Sequence, residues 1–203
     1  LKLHLQTLRR QGLDDDQRTA LANHAVDDLD RLGALTEKIL LATRLDEATV
    51  ATDATRFDAR LELQDICLRA RVGTGRAHRI TLLDGPPVAL HTDLTAFRSV
   101  ASNLVENACK YAPAGTEVEV SLVAGPTHTV LQVRDHGPGV PLEDRERIFE
   151  KFYRAGNEET RGTKGTGLGL YIVRRLMQNV GGKVEYRPAP DRGAIFVASF
   201  PQR

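Results

Sequence analysis

A chain of 203 residues and 22.3 kDa is long enough for one large domain, or for a small one joined to a medium one, each with its own buried core. Its 28 Lys and Arg against 27 Asp and Glu leave a formal net charge of +1, so no general basic field points to nucleic acid, and any polyanion must be held by a local cluster. Mean hydropathy is −0.31, and no apolar run approaches the roughly 20 residues that span a bilayer, so none of these residues is expected to cross a membrane.

The first residues, Leu1-Lys2-Leu3-His4-Leu5, carry neither an initiator Met nor a signal-peptide organisation, and read as an internal piece of a longer protein. Leu1, Leu5 and Leu8 recur at helical spacing up to about Arg10, where Gly12 and the acidic turn Asp14-Asp15-Asp16 end this stub. From Gln17 to Leu45 the apolar series Leu21, Ala25, Leu29, Leu32, Leu35, Ile39 and Leu45 predicts one long amphipathic helix. Two such helices folded back on each other form an antiparallel hairpin. Its narrow apolar seam either takes a partner or packs on the rest of its own chain.

Asp46 to Asp58, rich in Asp, Thr and Ala, reads as a linker leading into a first strand. Beyond it, helix is expected over Leu61–Arg71 and extended chain over Arg79–Leu83 and Val88–His91. A long helix follows over Asp93–Tyr111. Glu117–Val123 and Thr129–Asp135 show β-branched patterning around Ala124-Gly125-Pro126-Thr127. Leu168–Val180 is helical, and Lys183–Arg187 with Ala194–Phe200 close as a hairpin. Cys67 and Cys109 lack metal-ligand spacing and read as reduced thiols in or near the core of a cytoplasmic protein.

Three constellations carry chemistry. On the helix ending at Tyr111, Asn103, Asn107, Lys110 and Tyr111 fall within about 100° of one another, whereas Phe97, Ala101, Leu104 and Ala108 share a different face. Amide oxygens suit the oxygen shell of Mg²⁺ and an ammonium neutralises phosphate, although Asn and Lys also suit a plainly solvated face. The second is Asp135-His136-Gly137-Pro138-Gly139-Val140 at a strand end. A carboxylate there can accept from an exocyclic amine such as that of adenine, and glycines permit close approach. An ordinary strand-to-turn junction has the same composition. The third is Gly165-Thr166-Gly167-Leu168-Gly169-Leu170, opening a helix whose N-terminal amides favour an anion. A dinucleotide fingerprint needs Gly where Leu170 stands, and a P-loop needs Gly-Lys-Ser/Thr; neither is present. The polar stretch Ala155–Lys164 before it suits a lid as well as a plain surface loop.

With Phe149-Glu150-Lys151-Phe152-Tyr153-Arg154 between the second and third, these boxes match in order, from roughly Phe57 to the C-terminus. In this the chain resembles the catalytic ATP-binding domain of sensor histidine kinases, of one fold group with the gyrase and Hsp90 ATPases. The resemblance implies an α+β fold, a two-layer sandwich of a mixed sheet with helices on one face, preceded by the remnant of the helical hairpin. It divides the chain into a partial dimerisation and phosphotransfer hairpin (1–46), a linker (47–56) and the catalytic domain (57–203). Asn107 would ligate Mg²⁺, with Asn103 a second contact. Lys110 would meet phosphate and Tyr111 would lie against the nucleotide. Asp135 would read the adenine amine, with Gly137 and Gly139 giving it room. Arg154 would reach the terminal phosphates, and Gly165, Gly167, Leu168 and Gly169 would wall the phosphate side. Phe149 and Phe152 would anchor the lid, in which Arg161 and Lys164 are further candidates for phosphate.

Hydrolytic members of this fold group carry a Glu one helical turn before the Mg²⁺-binding Asn. Here that position is Asn103, which cannot act as a general base at neutral pH. Glu106 points away. Transfer to an external nucleophile is therefore expected, because phosphoryl transfer needs mostly positioning and charge neutralisation. In the family the acceptor is a histidine followed by an acidic residue and Pro-Leu. None of His4, His24, His78, His91, His128 and His136 has that context, so the acceptor is expected to be missing. The resemblance further implies ATP and Mg²⁺ as ligands and a homodimer in the full-length protein. It also implies a response-regulator receiver domain as partner, with any membrane segment upstream of a cytoplasmic catalytic domain. An anti-sigma-factor-type Ser kinase and a nucleotide-sensing module without chemistry are the competing readings.

Overall fold

The computed structural model describes residues 7, 14–47, 52–73, 78–155 and 165–202. Apart from Thr7, the stub expected over residues 1–10 lies outside the described residues, and with it the hairpin. The chain divides into two compact units, residues 1–43 and 44–203.

Helix α1 runs from Asp15 to Glu47. It starts two residues before Gln17 because Asp14 Oδ1 accepts the Gln17 N–H at 2.7 Å while Gln17 Oε1 accepts the Asp14 N–H at 3.3 Å. This reciprocal capping box satisfies donors that the helix itself leaves orphaned, and Asp15 and Asp16 then sit where the helix dipole favours anions. Of the expected apolar series, Ala25 and Leu45 are buried, whereas Leu29, Leu32 and Ile39 are exposed.

In the second unit, β1 (Ala54–Asp58) pairs antiparallel with β3 (Ala89–Asp93) as a small two-stranded sheet. So β1 occupies part of the stretch read as a linker. Helix α2 (Ala59–Gly73) and helix α3 (Leu94–Tyr111) follow these strands. The main sheet combines β2 (Arg79–Leu82), β4 (Glu117–Ala124), β5 (His128–Arg134), β6 (Lys183–Pro188) and β7 (Ala194–Pro201) in the order β2-β4-β5-β7-β6. β2 and β4 are parallel and the other pairs antiparallel, so the sheet is mixed as expected.

Alternation along the strands sends Val118, Val120 and Leu122 of β4, Leu131 and Val133 of β5, and Phe196, Ala198 and Phe200 of β7 into one buried layer. Register aligns them: Val120 lies opposite Val133, which lies opposite Phe196. The helices cover this face. Phe97 of α3 is fully buried with its ring 5.3 Å from those of both Phe57 and Phe200, so β1, α3 and β7 meet at one aromatic cluster. The opposite face carries Glu119 beside Arg134 and Ser121 beside Gln132. Two 3₁₀ turns, Leu142–Asp144 and Arg147–Phe149, lead to the Phe-rich segment, and α4 (Gly169–Asn179) packs beside α3. Cys67 and Cys109 are free and buried, and burial pushes each thiol up to about 11.

Candidate nucleotide-binding site

Helix α3 is set by its cap: Asp93, in an extended conformation, accepts the Ala96 N–H at 2.8 Å through Oδ1. Its apolar face from Phe97 to Cys109 is buried, which turns Asn103, Asn107, Lys110 and Tyr111 away from the core. Asn103, Asn107 and Lys110 are half-buried and Tyr111 is exposed. Asn103 Nδ2 donates to the Ser99 carbonyl at 2.8 Å, which orients the amide and leaves Oδ1 beside Gly169, where an added Cβ would lie 3.1 Å from it. The Lys110 ammonium donates to the Tyr111 hydroxyl at 3.3 Å, lies 4.7 Å from that ring's centre, and occupies the space a side chain at Gly165 would need.

Gly165, Gly167, Leu168 and Gly169 form the turn into α4. Leu168 is fully buried, its own side chain does not cap the helix, and its N–H donates to the Thr166 hydroxyl at 3.4 Å, so among the described residues the N–H groups of the first turn beyond it are placed to meet an anion. Gly167 has φ +70°, and a Cβ there would fall 2.6 Å from the Phe152 carbonyl carbon and 2.8 Å from the carbonyl oxygens of Phe152 and Tyr153. Thus the glycine loop presses against the backbone of the Phe-rich segment, and the Phe152 N–H donates to the Gly167 carbonyl at 3.1 Å.

Asp135 directly follows β5 at 2% exposure. Its Oδ1 accepts from the Gly137 N–H at 2.7 Å and the Ala194 N–H at 3.3 Å, which holds the carboxylate while Oδ2 takes neither bond. Burial raises the Asp135 pKa, and the two backbone donors oppose that shift. Gly137 is required here because a Cβ would lie 2.7 Å from the Tyr111 carbonyl, so the end of α3 and the Asp135 turn nearly touch. Gly139, at φ +74°, packs on Gly193, and the Val140 N–H donates to the Tyr186 hydroxyl at 3.2 Å.

Of the expected residues, Asn103, Asn107, Lys110 and Tyr111 lie on α3, Asp135, Gly137 and Gly139 lie in the turn after β5, and Gly165, Gly167, Leu168 and Gly169 lie in the loop before α4. Arg154 is half-buried at the end of the Phe-rich segment. Arg161 and Lys164 lie outside the described residues. Phe149 is buried, edge-on to Phe196 at 6.4 Å. Phe152, at φ 64°, has a ring that is 58% exposed, and its backbone N–H donates to the Gly167 carbonyl. The sequence reading missed Tyr186 of β6, Ala194 of β7 and Gly193 between these strands, which pack against the segment from Asp135 to Val140. It also missed Asp144, whose buried carboxylate accepts the Tyr153 hydroxyl. A Gly in a hairpin beside an Ala gives no signal of such a role.

Two amide oxygens on one helix face, an ammonium, a helix N-terminus and a buried carboxylate facing glycines are chemically suited to a Mg²⁺-bound nucleotide. Such a site, on a mixed sheet covered by helices on one face, defines an α+β nucleotide-binding domain that uses neither a P-loop nor a dinucleotide fingerprint. The model of the family described as Histidine kinase-, DNA gyrase B-, and HSP90-like ATPase matches residues 92–203, more than half of the chain, and the chain belongs to that family.

Among curated proteins, the chain is 32% identical to the swarming motility regulation sensor protein RssA of Serratia marcescens over 212 residues, covering 99% of this chain and 42% of that protein. It is 30% identical to the sensor-like histidine kinase SenX3 of Mycobacterium tuberculosis, over 92% of this chain and 46% of that one. The chain thus spans less than half the length of these relatives. Among solved structures, full-length ShkA in complex with AMPPNP superposes with a TM-score of 0.77 at 27% identity, over 97% of this chain and 41% of that one. The mycobacterial sensor histidine kinase MprB superposes at 0.62 and 26% identity, over 74% of this chain and 99% of that one. The catalytic part of the chain is thus of the histidine kinase type. No described helix is long and apolar enough to cross a membrane.

Proposed function

We propose that this chain is the ATP- and Mg²⁺-binding catalytic region of a sensor histidine kinase that donates the γ-phosphate of ATP to a histidine on a dimerisation helix, for relay to an aspartate of a response-regulator receiver domain. Asn103 carries the choice of transfer over hydrolysis. Its amide is tied to the Ser99 carbonyl beside the glycine loop, at the position from which a carboxylate would activate water in the hydrolytic relatives. The nucleotide complex of ShkA supports ATP as the ligand.

In this reading Asp135 accepts the adenine amine through the oxygen its backbone donors leave, and Gly137 and Gly139 admit the ring edge. Tyr111 lies along the nucleotide. Lys110, Arg154 and the open N–H groups of α4 hold the phosphates, with Gly165, Gly167, Leu168 and Gly169 shaping that wall. Mg²⁺, ligated by Asn107 with Asn103 beside it, supplies charge neutralisation on the phosphates when bound. An acceptor imidazole nitrogen donates its electron pair to the γ-phosphorus, the bond to the bridging oxygen breaks, and ADP leaves with the electron pair of that broken bond. Residues 1–46 belong to the dimerisation and phosphotransfer hairpin, 47–56 to a linker and 57–203 to the catalytic domain. The full-length protein is a homodimer, its catalytic domain cytoplasmic and joined to an inner-membrane sensor by upstream segments.

Because none of the six histidines has the acceptor context, the chain incubated with γ-labelled ATP is expected to take up no stable label. A helical hairpin carrying such a histidine, added as a separate chain, is expected to be labelled in an acid-labile, base-stable form. Label on His4 or His24 overturns the missing acceptor, and label on serine overturns the histidine-kinase reading.

A further inference from the structure

Asp144 lies outside the residues assigned to nucleotide, yet its carboxylate is one of very few charged groups buried among the described residues, at 8% exposure. Burying a carboxylate is costly, and an apolar side chain would fill the same space at lower cost. What the carboxylate gains is the Tyr153 hydroxyl, which donates to Asp144 Oδ1. The Tyr153 ring is held as well, with the Arg147 guanidinium 4.2 Å from its centre. Its backbone is held too: the Tyr153 N–H donates to the Glu150 carbonyl at 3.3 Å, and the preceding Phe152 is tied to Gly167 in a left-handed conformation. Tyr153 is therefore fixed at hydroxyl, ring and backbone, and the next residue is Arg154.

The other end of the pair leads back to the base-reading turn. Asp144 donates its own N–H to the Pro141 carbonyl at 3.0 Å, Arg145 Nε donates to the Val140 carbonyl at 3.4 Å, and the Val140 N–H is bound to Tyr186. Tyr186 also packs edge-on against Phe196 of the sheet at 5.8 Å. A chain of direct contacts thus runs from the rigid sheet through Val140 and Asp144 to the residue beside Arg154.

We propose that Asp144 and Tyr153 are a positioning pair: the buried carboxylate fixes the tyrosine hydroxyl, sets the direction of the adjacent Arg154, and through it sets discrimination between nucleoside triphosphate and diphosphate. This rests on the ATP-site reading and on Arg154 as the group that meets the terminal phosphate. The effect belongs to the third phosphate alone, so it separates from overall binding and from folding.

The test is the ratio of equilibrium affinities for the Mg²⁺ complexes of AMPPNP and ADP, measured by calorimetry on the full chain and on Arg154→Ala, Tyr153→Phe, Asp144→Ala and Asp144→Asn, with a melting curve for each. Wild type is expected to prefer the triphosphate and Arg154→Ala to lose that preference. Tyr153→Phe and Asp144→Ala are each expected to lower triphosphate affinity roughly ten-fold, the scale of one charge-assisted contact, with ADP affinity held within about two-fold. A Tyr153→Phe, Asp144→Ala double variant is expected to be no worse than either single one, and Asp144→Asn, whose amide oxygen still accepts the hydroxyl, is expected to recover most of the preference. Should Asp144→Ala fail to fold, Tyr153→Phe and Asp144→Asn carry the comparison. If Arg154→Ala abolishes the preference but the pair's variants weaken both nucleotides equally, or neither, the ATP site stands and the positioning role is overturned. An Arg154→Ala protein with unchanged preference overturns it too, and a wild type that binds neither nucleotide removes the ATP reading and this proposal together.

Discussion

Asp135→Asn is expected to abolish most ATP binding while leaving the unliganded fold as stable as before or more so. The asparagine oxygen can keep the Gly137 and Ala194 N–H groups, which places its NH₂ where Oδ2 now stands. A donor then faces the adenine amine, itself a donor. Losing a buried charged acceptor and leaving two donors opposed costs roughly 2–4 kcal/mol, about a 30- to 1,000-fold rise in Kd. Stability moves the other way because burial raises the Asp135 pKa above its ordinary 3.8. Such a group weakens the folded state whenever it is ionised, and the weakening is relieved only as pH falls through the raised value. The neutral amide removes that penalty at every pH. Calorimetric titration with ATP and thermal melts across pH 4–8 read both effects. An affinity within about three-fold of wild type contradicts the base-reading role.

Gly167→Ala is expected to be nearly as damaging for a different reason. The residue stands at φ +70°, and its Cβ would meet three backbone atoms of Phe152 and Tyr153 at 2.6 to 2.8 Å, none of which can swing aside as a side-chain tip would. Left-handed strain of about 1–2 kcal/mol adds to that overlap, for roughly 2–4 kcal/mol in all. Displacing the Phe-rich segment also moves Arg154, so ATP affinity should fall with the melting temperature. Gly115→Ala is the control: φ is +82° there, but a Cβ has nothing within 4 Å. It is expected to lose only the conformational contribution, with ATP binding unchanged. Equal effects at the two glycines would show that strain alone, and not the fit between the glycine loop and the Phe-rich segment, is at work.

The sequence made the site legible where its chemistry is local. Asn103, Asn107 and Lys110 stand on one helix face by periodicity, Asp135 closes an alternating strand, and Gly165 to Gly169 precede a helix whose apolar residues recur regularly. What stayed hidden depends on pairing across long separations. β1 is a short, largely exposed strand on a two-stranded sheet, so it lacks the alternation that marks a half-buried strand and reads as linker. The parallel pairing of β2 with β4 has β3 and α3 between them in sequence. Ala194 reaches Asp135 from 59 residues away, only because β7 lies beside β5. Phe152 read as a lid anchor beside Phe149, and nothing in Phe-Tyr-Arg signals a left-handed backbone there.

In the proposed function Asn103 is the residue on which transfer or hydrolysis turns, and the fate of bound ATP tests it most directly. With Mg²⁺ and ATP, the chain alone is expected to bind one nucleotide and to return it intact, phosphate release staying near the uncatalysed rate. Asn103→Glu is expected to gain measurable phosphate release, since a carboxylate is restored at the water-activating position. Steady, stoichiometric hydrolysis of ATP by the wild-type chain, lost on Asp135→Asn, would contradict the account and make the protein an ATPase.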